Sequence, residues 1–291
     1  MPHNLAPADQ PDHNTANVPP MSTPIELVAT DLDGTLWGRD LILHPAHREA
    51  LDELASRDIP VVAATGRRPR SALEGFARND ILLPAVLLDG TLGEDFPAET
   101  RFHQAFFDVP TAVRIITMFL DKAIQPCVYI DHADADLLLG PEPFTDPSHL
   151  EAVVEFAHHT ELGAAVPDYD VLAFTVIGAE RASLAPLAAE INMSGLAEAT
   201  LVRDSLYGGT SLSVIPLKVT KWNGVLAFCE ASDISPDRVL AVGDAGNDVG
   251  MLRQAGHAVA PRTASADVLA LADTIIDGPD DGGWVQILDL V

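Results

Sequence analysis

The sequence is short of cysteine, of aromatic residues and of positive charge. Only 5% of its 291 residues are aromatic whereas 47% are hydrophobic, so the core must be built mainly from Ala, Val, Leu and Ile. The two cysteines, Cys127 and Cys229, lie far apart and fit none of the usual metal-binding or redox spacings. We therefore expect both to be reduced core residues of a cytoplasmic protein.

Positive charge is scarce: 17 lysines and arginines stand against 43 acidic residues, and the formal net charge is -26. An acidic field of this size repels nucleic acid and anionic membranes, so neither is an expected partner. The same field repels phosphate esters, so a site for such a substrate would need cations close by. The sequence carries no signal for an oligomeric state.

Long apolar runs are absent as well. None reaches the ~18 residues that a membrane-spanning helix needs. Residues 1–24 lack the basic start and the apolar stretch of a signal peptide. Their richness in Pro, Asn and Ala predicts a disordered N-terminal extension.

From Ile25 onwards, short segments that are apolar throughout alternate with amphipathic ones. The segments "IELVAT", "IPVVAAT" and "PAVLLDG" are typical of strands buried on both faces, and "PAHREALDELASRD" is typical of a helix with one apolar face. Buried strands that alternate with amphipathic helices predict an α/β fold with a doubly wound, Rossmann-like parallel sheet covered on both faces.

This alternation is interrupted near Leu92 and returns after Lys221. Between these points, two runs of a helix followed by short strands indicate a separate α+β module. We therefore predict one core domain formed by residues 25–91 and 214–291, with an α+β cap domain inserted at residues 92–213.

Polar residues follow three of the predicted buried strands, and a lysine opens the helix before the last of them. In chain order these residues are Asp31, Asp33, Thr65, Gly66, Lys221, Asp244, Asn247 and Asp248. In open α/β sheets, ligands bind outside the carboxyl ends of the strands. We therefore expect these side chains to converge on one mouth of the sheet.

Four carboxylates at one mouth would repel each other, because like charges a few ångströms apart cannot all stay ionised. A hard divalent cation removes this conflict, and Mg2+ is typically bound through one or two carboxylates plus a substrate phosphate. Thr65 stands at a strand-to-helix turn that can cradle an anion, and Lys221 supplies a positive charge for the same group. Lys218 is the alternative. We favour Lys221, because Lys221 opens the predicted helix.

Four segments carry a resemblance to a known family. In this order, "DLDGTL", "ATGR", "VTKWNGVLAF" and "VGDAGNDVGML" resemble the four motifs of the haloacid dehalogenase-like phosphatases. Their spacing resembles the Cof-type subgroup, in which an α/β cap of the C2 (IIB) type is inserted between the second and third motifs. The predicted cap matches by its size and the order of its elements.

The resemblance implies a Mg2+-dependent phosphatase acting on small phosphorylated metabolites such as sugar phosphates or phosphorylated cofactors. It implies that Asp31 is the nucleophile and forms an aspartyl-phosphate. Asp33 would be the general acid for the leaving alcohol and then the base for the attacking water. Lys221 would offset charge on the nucleophile and on the phosphoryl group.

The resemblance also implies the binding residues. Thr65, the neighbouring amides at Gly66, Lys221 and Asn247 would contact the phosphoryl oxygens. The implied Mg2+ ligands are Asp31, the main-chain carbonyl of Asp33, and Asp244, with Asp248 acting through water or indirectly.

Several residues have more than one interpretation. Arg67, Arg68 and Arg70 either attract an anionic substrate or form a solvated basic face. Trp37 either lines the substrate mouth or packs in the core.

Three positions depart from the family pattern. Asp89 stands where the family usually has Asn, Trp222 stands where it usually has Gly, and "PRTAS" replaces Gly-Asn-Ala. A phosphomutase with the same catalytic residues is an alternative function. A non-catalytic binding protein is another, although the intact acid set argues against it.

Overall fold

The computed structural model describes residues 24–38, 40–204 and 206–291. The predicted extension, residues 1–24, lies outside the described residues apart from Pro24. Over the described ranges, no helix combines the length and apolarity needed to cross a membrane.

The strands, in chain order, are β1 (Leu27–Thr30), β2 (Val61–Ala64), β3 (Ala85–Leu87), β4 (Leu92–Asp95), β5 (Thr100–Gln104), β6 (Cys127–Ile130), β7 (Leu137–Leu139), β8 (Ala157–His159), β9 (Val171–Ala179), β10 (Ala197–Arg203), β11 (Thr210–Pro216), β12 (Val239–Val242), β13 (His257–Pro261) and β14 (Thr274–Ile276). The α-helices are α1 (Pro45–Ser56), α2 (Pro69–Arg78), α3 (Val109–Leu120), α4 (Pro147–Val153), α5 (Leu162–Ala165), α6 (Arg181–Ser194), α7 (Lys221–Ser232), α8 (Val249–Leu252) and α9 (Ala266–Leu269). A 3-10 helix, Gly283–Leu290, follows β14.

The larger sheet has the strand order β14-β13-β12-β1-β2-β3-β4-β5. Pairing is parallel from β14 to β3, and β4 and β5 add an antiparallel edge. Strands β1, β2 and β12 are buried along their whole length, as expected for a sheet covered on both faces. The predicted doubly wound core is confirmed.

Sheet topology brings two of the predicted site residues together beside β1 and β12. The chain order runs outward in both directions from this pair, so it is the topological switch point at which ligands bind in such sheets. Thr30 pairs with Val242 in parallel register. Asp31 and Asp244, which follow these strands, are thereby brought to the same edge.

The second sheet has the order β10-β11-β9-β6-β7-β8, and its pairs are antiparallel except for β7 with β8. Side chains of β6 alternate between its two faces, as the period of two requires. Val128 and Ile130 pack with the cap helices, whereas Cys127 and Tyr129 belong to a core cluster shared with the larger sheet. Both cysteines of the chain are free and buried, as expected.

The structure moves the boundary of the inserted module. The prediction started it at residue 92, but β4 and β5 pair onto β3 as a hairpin at the edge of the larger sheet. The chain enters the second sheet only after Gln104, and it leaves that sheet with β11 at Pro216 rather than at residue 213. The pattern of an exposed strand such as β5 does not reveal which sheet supplies its neighbour, because an edge strand is half-solvated in either sheet.

Candidate active site

A buried lysine links two carboxylates at the switch point. Lys221 is the first residue of α7, and its side chain is fully buried. Its Nζ lies 2.6 Å from Oδ1 of Asp31 and 2.7 Å from Oδ1 of Asp248. Lys218, the alternative, is exposed on the preceding turn with φ of 67°. The geometry therefore selects Lys221 as the lysine of the site.

Asp248 ties the loop after β12 to this lysine. Its Oδ2 accepts hydrogen bonds from the backbone N–H groups of Asp244 (3.0 Å) and Ala245 (2.9 Å). The Thr35 hydroxyl lies 3.4 Å from Oδ1 of Asp244. Carboxylate oxygens of Asp31, Asp244 and Asp248 all lie within 4.8 Å of one another, so the site gathers three of the four predicted acids into one group.

The charges in this group do not balance. Burial raises the pKa of Asp31 well above its usual range, and the charges of Asp248 and Asp244 add to the rise although Lys221 opposes it. Burial and the charge of Asp248 raise the pKa of Asp244 to about 7. Burial alone would lower the pKa of Lys221, but the charges of Asp248 and Asp31 raise it instead. Three acids against one ammonium, with hard oxygen donors this close together, fit a divalent cation such as Mg2+.

Asp33 lies outside this three-acid group and is bound differently. Arg67 donates two hydrogen bonds to its carboxylate, from Nε to Oδ2 at 2.6 Å and from Nη2 to Oδ1 at 2.7 Å. The indole Nε1 of Trp37 donates a third bond to Oδ1 at 3.0 Å. Burial alone would raise the pKa of Asp33, but the hydrogen bonds and charge of Arg67 outweigh it and hold this pKa below its usual range.

The predicted phosphate-binding residues flank the acids. Thr65 is buried at the end of β2, and its Oγ1 accepts the backbone N–H of Arg67 at 3.2 Å. The Nδ2 of Asn247 donates to Oδ1 of Asp89 at 2.9 Å. A Cβ on Gly66 would lie 3.1 Å from the same Asp89 oxygen, so glycine leaves room for this carboxylate. Contact of these residues with a phosphoryl group stays a prediction.

Asp89 joins the core to the cap. Its backbone is left-handed at φ 56°, and its Oδ2 accepts the hydroxyl of Ser213 on β11 at 2.7 Å. The departure from the family pattern therefore places a buried carboxylate in contact with the core loop through Asn247 and with the inserted sheet through Ser213. Sequence reasoning marked Asp89 as a departure but missed both partners, because the Asn247 and Ser213 positions are more than 120 residues away.

Two further arginines reach across to the cap. Arg68 and Arg70 both form ion pairs with Oδ2 of Asp136, and the Arg70 pair measures 3.1 Å. The Arg70 guanidinium also lies 3.8 Å from the ring centroid of Phe156. Arg68 is buried whereas Arg70 stays exposed, and both pair with an acid of the cap. Asp136 carried no sequence signal of this role beyond being an acid in a turn of the cap.

A doubly wound core, an inserted α+β cap, and buried acids with one lysine at the switch point together define a capped, doubly wound α/β protein with an acidic candidate active site. The model of the haloacid dehalogenase-like hydrolases matches residues 28–288, and the chain belongs to this family. The resemblance in the four motifs is thereby confirmed.

Two curated relatives are named as phosphatases. The chain is 25% identical over 279 residues to the pyridoxal phosphate phosphatase YbhA of Escherichia coli, covering 86% of this chain and 92% of that protein. It is 41% identical over 71 residues to a phosphoglycolate phosphatase of Methanopyrus kandleri, covering 24% of this chain and 31% of that protein. This chain therefore spans about a third of the length of the second relative.

Solved structures share the fold over nearly the whole chain. A haloacid dehalogenase-like hydrolase from B. subtilis superposes with a TM-score of 0.76 at 19% identity, covering 91% of this chain and 99% of that one. The subclass IIB sugar phosphatase BT4131 superposes with a TM-score of 0.70 at 19% identity, covering 91% and 98%. At this identity the likeness establishes the fold, including the cap type.

Proposed function

We propose that the protein is a Mg2+-dependent phosphatase that hydrolyses monoesters of small phosphorylated metabolites. The observation that carries this proposal is the buried Asp31 carboxylate, which lies at the switch point 2.6 Å from Nζ of Lys221 and beside Asp244 and Asp248. The names of two relatives, a pyridoxal phosphate phosphatase and a phosphoglycolate phosphatase, support a small substrate.

Asp31 is the nucleophile in the proposed reaction. One of its carboxylate oxygens forms a bond to phosphorus while the ester P–O bond breaks, which leaves an aspartyl-phosphate and an alcohol. Water then attacks phosphorus, the bond to Asp31 breaks, and inorganic phosphate leaves. Lys221 stays beside Oδ1 of Asp31 and offsets the negative charge of the nucleophile and the incoming phosphoryl group.

Asp33 moves the protons in the proposed reaction. It gives a proton to the departing alcohol in the first half and takes one from the attacking water in the second. Asp31, the main-chain carbonyl of Asp33 and Asp244 would hold Mg2+, and Asp248 supports the site through Lys221 and the loop amides. Bound Mg2+ supplies positive charge that lets the carboxylates and the phosphate approach one another.

The test is release of inorganic phosphate from a panel of sugar phosphates and phosphorylated cofactors, with Mg2+ and then with a chelator. We expect turnover with Mg2+, loss of it on chelation, and at least about a thousandfold fall in kcat for Asp31→Asn. Asp52→Asn, the same change at an exposed position of α1, is the matched control and should leave kcat unchanged.

Two results would contradict this function. Turnover that is unchanged by the chelator would show that the reaction does not need the metal. Conversion of a hexose phosphate into its isomer without release of phosphate would favour the phosphomutase alternative, because the phospho-aspartate would then return its phosphate to a sugar.

A further inference from the structure

Trp37 is a buried residue that contacts the carboxylate of Asp33, the group proposed to transfer protons. Its side chain is fully buried, and its indole Nε1 lies 3.0 Å from Oδ1 of Asp33. We propose that Trp37 is a positioning residue that pins Oδ1 of Asp33, so that Oδ2 is the oxygen that transfers the proton. This proposal rests on the proposed phosphatase function and assigns a role to a residue outside the four motifs' acids and lysine.

The indole is held rigidly in this position. Its backbone closes the turn after β1, with the Trp37 N–H bonded to the Leu32 carbonyl at 3.0 Å and the Gly34 N–H bonded to the Trp37 carbonyl at 2.9 Å. The ring packs against α2 at Gly75, where a Cβ would lie 3.0 Å from Cη2 of the ring. Phe76 meets the ring edge-on with centroids 6.2 Å apart. The missing side chain at Gly75 thus gives the indole its space.

The two oxygens of Asp33 are not equivalent in this arrangement. Oδ1 accepts from both Nη2 of Arg67 and Nε1 of Trp37, whereas Oδ2 accepts from Nε of Arg67. A proton on Oδ2 weakens the bond from Nε of Arg67, because a protonated oxygen is a poorer acceptor than a carboxylate oxygen. Oδ1 accepts in both states, and the uncharged indole N–H can therefore keep its bond throughout the reaction.

The proton steps are then assigned to one atom. As the ester P–O bond breaks and the bond from Asp31 to phosphorus forms, Oδ2 of Asp33 gives its proton to the departing oxygen. As water forms its bond to phosphorus and the bond to Asp31 breaks, Oδ2 takes a proton from that water. The net reaction consumes one water and one ester, and it yields one alcohol and one phosphate.

The test compares two kinds of leaving group in the Trp37→Phe variant, which keeps a buried ring and removes the N–H. One substrate is the sugar or alkyl phosphate that the wild-type protein hydrolyses fastest, whose alkoxide needs a proton to leave. The other is p-nitrophenyl phosphate, whose phenolate leaves without one. We expect kcat/KM to fall about tenfold for the alkyl ester and to stay within about threefold for p-nitrophenyl phosphate.

Trp284→Phe is the matched control. Trp284 is also fully buried in the same core cluster, and its Nε1 donates to the Thr30 hydroxyl at 3.0 Å, not to Asp33. The Trp284→Phe variant also loses ring volume and one N–H, so it should change kcat/KM by the same factor for both substrates. When Asp33 is already replaced by Asn, adding Trp37→Phe should change kcat/KM by the same factor for the alkyl ester and for p-nitrophenyl phosphate.

Equal effects of Trp37→Phe on both substrates, or no effect on either, would overturn the role of Trp37 while leaving the phosphatase function intact. Absence of turnover of both esters by the wild-type protein would instead reject the phosphatase function. Where Trp37→Phe does not fold, replacement of the Trp37 indole by a benzothiophene ring keeps both fused rings and removes only the N–H. The same leaving-group discrimination is then expected, and its absence overturns the proposal.

Discussion

Lys221 offsets the charge of two carboxylates that are buried away from water. Its ammonium lies between Asp31 and Asp248, and all three side chains are buried. Removing one partner of such a group is costly, since the remaining charges stay buried without compensation. The lysine is therefore as much a folding requirement of the site as a participant in the proposed chemistry.

We expect Lys221→Met, with a chelator present, to lower the free energy of unfolding by about 3–5 kcal/mol. The methionine keeps most of the side-chain volume, so the loss reports the missing charge. Urea denaturation followed by circular dichroism measures it. Lys218→Met, at an exposed position three residues earlier, should change stability by less than about 0.5 kcal/mol. A similar loss in the two variants would show that the buried ammonium does not stabilise the site.

At the scale of elements, α2 connects the core to the cap. Arg68 and Arg70 leave its N-terminal end and meet Asp136 in the turn between β6 and β7. Arg68 also donates to the Ala152 carbonyl at 3.1 Å. Since α2 follows directly from the Thr65 turn, the cap is clamped next to the residues predicted to bind phosphate.

This clamp predicts the effect of Asp136→Asn. The amide oxygen of Asn accepts hydrogen bonds from the two arginines less strongly than a carboxylate does. The contact between cap and core should therefore be less favourable. We expect KM for the best substrate to rise about three- to tenfold, with a smaller change in kcat. Asp134→Asn, an exposed position in the same turn, is the matched control and should leave KM unchanged. An unchanged KM in Asp136→Asn would show that the clamp does not control access.

The elements also show what a sequence can predict. Buried strands such as β1 and β12 are recognisable because every residue is apolar, and parallel strands must bring Asp31 and Asp244 to one edge. The choice of Lys221 followed from its place at the start of α7. By contrast, the partner of Arg67 and the hydrogen bond of Trp37 depend on side-chain directions in the folded turn. Periodicity carries no information about these directions. Of the two interpretations of Trp37, the structure shows the packing role in the core, and it adds a hydrogen bond to Asp33 that neither interpretation named.

At the scale of the whole molecule, the charge distribution opposes the proposed substrate. The net charge is -26, and among the described residues four positive side chains belong to the acid group or to the segment that follows β2. These are Lys221, Arg67, Arg68 and Arg70, and each is already paired with an acid. A phosphate ester that approaches from solution therefore meets the negative field of the whole molecule, and the charges of these four cations are already partly neutralised by their acid partners.

Salt should therefore accelerate capture of substrate. At low ionic strength the field of the acidic surface reaches well beyond the mouth, and it slows the encounter with an anion. At about 0.3 M salt it is screened within a few ångströms, so we expect kcat/KM with saturating Mg2+ to rise about two- to threefold between about 20 and 300 mM sodium chloride. The value of kcat should hold steady, since the bound substrate no longer crosses that field. Potassium chloride should act alike, and sucrose, which does not screen charge, should have no such effect. A fall in kcat/KM with salt would mean that the arginines at the mouth, and not the acidic surface, govern the approach of the substrate.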